Sequence, residues 1–198
     1  DAKFLGNIVY LRSIPARHGR RYAESARLLS EAGSVMQSAG LTAFAFEAYV
    51  QASFHYLVAD DLAGYRETES ILHAPWQAEA QTSDRFRWLE HQGLHALLNS
   101  DLDGFEGCFQ EFFRQAEDSP PSSYARTAVW WGHFLYAVGL RALGEDREAE
   151  RHLRLAEALL GSFDNRLGQD LIQSDFGDRM ANTVRNARRT ALARPAPS

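Results

Sequence analysis

Asp61-Leu62-Ala63-Gly64-Tyr65 recurs forty residues later as Asp101-Leu102-Asp103-Gly104-Phe105. Each copy follows a long apolar stretch and opens a more polar one. Gly144-Glu145-Asp146 is a third, degenerate copy in the same setting. An aspartate directly before a hydrophobic periodicity is a helix N-cap signal, because its carboxylate accepts from backbone N–H groups that the first turn leaves unpaired. The repeating unit is therefore read as a helical hairpin of about forty residues, present roughly three times. Two antiparallel helices joined by a tight turn leave one apolar face uncovered, and stacking the next pair buries it.

Outward from these turns, apolar residues recur at spacings of three and four, the helical signature. Helices are expected over 22–38 (stopped by Gly40), 42–59, 62–72 (closed before Pro75), and from Ser83 or Asp84 to Asn99. Further helices are expected from Leu102 to the Ser119-Pro120-Pro121 break, and over 122–143, 145–160 and 178–192. The stretch 42–59 carries Phe44, Phe46, Tyr49, Val50, Phe54, Tyr56, Leu57 and Val58, and a helix apolar nearly all round is an internal one. By contrast, 145–160 sets Ala149, Leu153, Ala156 and Leu160 against Arg147, Glu150, Arg151, Arg154 and Glu157. The expectation is one all-α domain over 1–198, built of seven or eight helices in stacked antiparallel hairpins with a concave or grooved face. Residues 1–20 are read as an irregular lead-in and 193–198 as a frayed tail.

Composition narrows the function. The chain has 198 residues, 45% of them hydrophobic, enough for a substantial core. Its net charge of −5 leaves no whole-protein basic footprint for nucleic acid. A single cysteine, Cys108, excludes an intramolecular disulfide and a multi-cysteine metal centre. No apolar run reaches the roughly 18 residues of a membrane span, and the opening residues lack a signal-peptide pattern. A cytoplasmic location is expected.

Charge is unevenly distributed. Residues 41–120 hold 14 acidic and 4 basic side chains, a net of −10, whereas 1–40 and 164–198 are net positive. Parallel stacking of the hairpins would bring Asp60, Asp61, Asp101 and Asp103 to one edge, with Glu67, Glu69, Glu106 and Glu111 extending the field along the outer helices. Such a patch attracts a basic partner and speeds its association; it also serves plain solubility. Trp130-Trp131 must point in different directions around a helix, so one anchors the core and the other is open to be a contact. Together with Trp88, Trp130 joins the acidic residues as a candidate partner-binding position.

Other constellations carry less. Asp60-Asp61 with Glu67 resembles the metal–diphosphate motifs of helical terpene enzymes, but no complete second motif is present, and a capped interhelical turn explains the aspartates. His91 and His95, four apart, could face one way toward a metal, with Glu90 or His133 as a third ligand; packed or solvated histidines are the alternative. Cys108, set among Phe105, Phe109 and Phe112, reads as a small core residue. No Gly-rich phosphate loop, serine nucleophile elbow or H-E-x-x-H occurs. No catalytic residue, metal or cofactor is assigned.

Two family resemblances follow. Gly144, Ala149, Leu153 and Ala156, with Ala137 and Leu140 before them, resemble the turn and helix positions of a tetratricopeptide-type unit, which implies stacked hairpins. The stretch from Trp88-Leu89-Glu90 through Leu94-His95-Ala96-Leu97-Leu98 to Asp101-Leu102-Asp103-Gly104-Phe105 resembles a segment of all-helical immunity proteins of polymorphic toxins, the immunity protein 49 group. That resemblance implies a non-enzymatic protein that binds and neutralises a cognate bacterial toxin domain, its acidic surface plugging a basic cleft. The alternatives are a regulatory or adaptor repeat domain binding a peptide or small ligand, and a small helical metal-dependent enzyme.

Overall fold

The computed structural model describes residues 2–74, 84–119, 124–161 and 166–192. Among these are ten α-helices and no strand: α1 (Ala2–His18), α2 (Tyr22–Ser38), α3 (Thr42–Val58), α4 (Leu62–Leu72), α5 (Arg85–Leu98), α6 (Leu102–Asp118), α7 (Tyr124–Leu143), α8 (Asp146–Gly161), α9 (Arg166–Gln173) and α10 (Phe176–Leu192). The all-α expectation holds, with more helices than the seven or eight expected. The chain divides into two compact units, 1–88 and 89–198. The expected frayed tail lies outside the described residues.

The turns explain the repeat. Arg20, Gly40, Asp60, Ser100 and Gly144 all have positive φ, between 55° and 89°. In each case the next residue's N–H reaches back to a carbonyl five residues earlier: Arg21 to Ala16, Leu41 to Met36, Asp61 to Tyr56, Asp101 to Ala96 and Glu145 to Leu140, at 2.8–2.9 Å. The left-handed residue itself donates three back, as Gly40 does to Gln37 at 2.9 Å. This is the Schellman arrangement, which satisfies carbonyls a helix end would otherwise orphan. The forty-residue hairpin thus resolves, across Arg20, Gly40 and Asp60, into twenty-residue steps of one helix and one turn.

In unit 1, α1 packs on α2, α2 on α3 and α3 on α4. From Ala45 to Val58, α3 is buried on almost every side; Phe44, at its start, is exposed. The lead-in expected over 1–20 is instead α1. Its packed face is small and sparse: Gly6, Val9, Ser13 and Ala16, spaced three or four apart. Its large apolar residues Phe4, Leu5, Ile8 and Leu11 point outward and are exposed. The usual amphipathic signal is therefore inverted, and Pro15 inside the helix obscures it further.

In unit 2, α7 packs against α6, α8 and α10, while α9 touches α8 and α10. Here the close contacts are made by glycine. A Cβ on Gly132 would stand inside the ring of Phe112, and one on Gly139 inside the ring of Phe105. Both pairs are seven residues, or two turns, apart on antiparallel helices, so two phenyl rings of α6 press against the bare backbone of α7. The short α9 was not expected, since eight residues give too few periods to read.

Candidate functional site

The expected contact residues separate into two groups once their local chemistry is seen. Asp61 and Asp101 are N-caps: each carboxylate accepts the N–H of the glycine three residues on, Gly64 and Gly104, at 2.9 Å. Their charge is partly committed to the first turns of α4 and α6, where it meets the positive end of the helix dipole. Asp60 sits exposed at the left-handed turn position. Glu67 on α4 is exposed, as are Asp103 and Glu106 on α6. The turns at Asp60 and Asp101 belong to different units.

Neither tryptophan is a bare contact residue. Trp88 is half-buried, its ring 6.2 Å from that of Phe46 and 5.1 Å from that of His73. Trp130 is half-buried beside Trp131, edge to face at 5.5 Å, while Trp131 is the core member of the pair.

The most uniform surface is on α6. Phe105, Phe109, Phe112 and Ala116 form its buried stripe. The helix carries five carboxylates, and its single basic residue, Arg114, is held by Glu111 at 2.7 Å and Asp118 at 2.9 Å. Among the described residues, Asp103, Glu106 and Glu117 have no basic partner, and all three are exposed. Glu117 was not singled out from the sequence; only the completed stripe shows that it faces outward.

The histidines are arranged differently from the sequence reading. His91 is fully buried and His95 half-buried on α5, with rings nearly parallel and centroids 6.4 Å apart. His95 Nε2 lies 2.9 Å from the Asn99 side-chain amide. His133 faces His152 instead, Nδ1 to Nδ1 at 2.9 Å, across the α7–α8 hairpin. Phe113 stacks on His133 at 4.4 Å and Tyr136 closes edge-on over His152 at 4.7 Å. Beyond the rings, Glu148 lies 3.7 Å and Arg151 3.5 Å from His152 Nε2. Burial, then the neighbouring His152 and Arg151, pull His133 down to about 4; burial and Arg151 lower His152 as well. At neutral pH this is an uncharged, hydrogen-bonded pair walled by aromatics. The signal in the sequence was position: His133 and His152 lie on the two arms either side of the Gly144 turn, so an antiparallel hairpin brings them to neighbouring levels.

Cys108 is half-buried next to Phe109 on α6. Among the described residues, no helix is long and apolar enough to cross a membrane. Set against protein-family models, curated proteins and solved structures, the chain matches none of them.

Proposed function

We propose that this chain is a non-enzymatic protein-binding module of the immunity type, which sequesters a toxin domain bearing a basic surface. The observation that carries the reading is the outward face of α6, where Asp103, Glu106 and Glu117 stand exposed without basic partners among the described residues. A row of like charges on a rigid helix costs self-repulsion, and a complementary basic surface relieves it on binding. A basic cleft shaped for phosphates offers that complement, since side-chain carboxylates can mimic the charge of a nucleic-acid backbone. The resemblance of the Trp88–Phe105 stretch to immunity proteins points the same way. Packing of α6 on α7 through the rings of Phe105 and Phe112 holds the direction of this acidic face.

The test avoids the capping aspartates. Asp103→Asn, Glu106→Gln and Glu117→Gln combined should leave core and caps intact. Association with the cognate toxin domain should slow about tenfold or more at low ionic strength, and its salt dependence should flatten. Cells producing that toxin should lose protection in step. An unchanged rate and salt slope would overturn the reading.

A further inference from the structure

Helix α1 has two apolar sides, and the described residues cover only one of them. On the covered side Gly6, Val9, Ser13 and Ala16 are buried. Gly6 lies against Met36, the Ser25 hydroxyl donates to the Ser13 carbonyl at 3.1 Å, and Val9 and Ala16 share a core with Leu28, Ala32 and Ala48. These contacts fix the rotation of the helix. At about 100° per residue, Phe4, Ile8, Leu11 and Pro15 then fall within an arc of about 60° on the opposite side. All four are exposed, Phe4 at 67%, Leu11 at 58% and Ile8 at 40%. Their spacing of four, three and four is that of alternating d and a positions in a coiled-coil seam, the pattern by which one helix packs on another. No carboxylate occurs in α1, and the exposed residues bordering the seam are Leu5, Asn7, Arg12 and His18.

We propose that this seam docks a second copy of the chain, α1 against α1, antiparallel about a two-fold axis at the level of Val9 and Tyr10. In that register Phe4 meets Pro15 of the second copy and Ile8 meets its Leu11, each contact made twice. A bulky ring thus faces a compact one, and no charge enters the seam. Arg12 comes beside Leu5 of the second copy, its stem on the apolar rim and its head in water. A parallel pair would instead crowd the two Phe4 rings at one end and leave two prolines at the other. A lipid surface is the poorer match: helices that lie on membranes present a strongly basic polar face, whereas the side of α1 opposite the seam is buried. With Leu5, the seam offers about 400 Å² of apolar surface per copy, roughly half the share of a standard interface. The dimer is accordingly weak, with a Kd on the order of 10 μM.

Sedimentation equilibrium from about 1 to 500 μM should show a monomer–dimer equilibrium. Ile8→Glu and Leu11→Lys should each weaken it about tenfold or more, with the helical spectrum unchanged because both positions are exposed in the single chain. Mixing the two variants should restore dimers. The antiparallel register sets the new carboxylate against the new ammonium at one contact and leaves the other contact apolar. A monomer throughout, dimers indifferent to both variants, or a mixture that stays monomeric would each overturn the proposal. So would a chain that stays monomeric and binds vesicles of phosphatidylcholine and phosphatidylserine until Ile8→Glu abolishes it, an outcome that assigns the seam to lipid.

Discussion

His133 and His152 meet Nδ1 to Nδ1 at 2.9 Å, so one of the two nitrogens must carry the proton and the other must accept it. A proton taken up at the outer nitrogen of the donor ring leaves this bond in place, whereas protonation of the accepting Nδ1 sets two N–H groups against each other and breaks it. What disfavours charge on the pair is first its burial and then the nearby Arg151.

Stability should therefore fall as pH drops. His133 is lowered from 6.5 to about 4, His152 is lowered too, and fully buried His55 is lowered to about 3, chiefly by burial and then by Arg17. Between pH 6.5 and 4 the unfolded chain takes up protons that the folded chain refuses, so unfolding free energy decreases in that window and is regained above it. Each histidine contributes at most about 1.4 kcal/mol per pH unit, less for the partly solvated His133. Asp84, raised by burial and by Glu47, pulls the opposite way. Chemical denaturation across this range should show the slope, and His133→Asn should flatten it; an identical slope would exonerate the pair.

Ser100 occupies a left-handed position at φ 65° that glycine holds at Gly40 and Gly144. A Cβ costs about 1 kcal/mol or more in that conformation. Ser100→Gly should raise the unfolding free energy by up to about 1 kcal/mol, visible as a few degrees in Tm. Gly144→Ala should lower it by a similar amount, although a Cβ there would meet no atom within 4 Å. Opposite signs for the two variants are the check.

Loss of a cap has its own signature. Asp101→Ala removes the acceptor for the Gly104 N–H and should cost about 1 kcal/mol, within a range of roughly 0.5–2. Asp103→Ala, two residues along and exposed, should cost little. Thermal melts of the two variants side by side would separate capping from surface charge.

The phenyl-on-glycine contact should not tolerate a methyl group. Gly132→Ala puts a Cβ into the Phe112 ring and should destabilise by about 1–3 kcal/mol. Phe112→Leu, costly alone because Phe112 is fully buried, should cost less in the Gly132→Ala background, a coupling measurable by a double-mutant cycle.

Helix identity was readable wherever the signal was local. Leu62–Leu72 and Tyr22–Ser38 begin and end at the residues expected from spacing, cap and turn chemistry. The repeated Asp-Leu-x-Gly-aromatic motif located both capped turns because its aspartate and glycine work within a single turn of chain. Residues 2–18 were missed for the converse reason. Their helix packs through Gly6, Val9, Ser13 and Ala16 and exposes Phe4, Leu5, Ile8 and Leu11, so the apolar stripe marks the wrong face. For the contact surface, Asp103, Glu106 and Glu67 stand exposed as expected, whereas Trp88 and Trp130 are half-occupied by internal packing.

The sequence by itself determined that this chain is helical and where most helices start and stop. Those properties depend on backbone hydrogen bonds, caps and left-handed residues that lie within five positions of one another. Only the tertiary structure decided that His133 meets His152, that α1 turns its large apolar residues outward, and that the phenyl rings of α6 rest on glycines of α7. Such meetings depend on the rotation and register of whole helices against their neighbours, and that is set by the summed packing of many side chains rather than by any short stretch of chain.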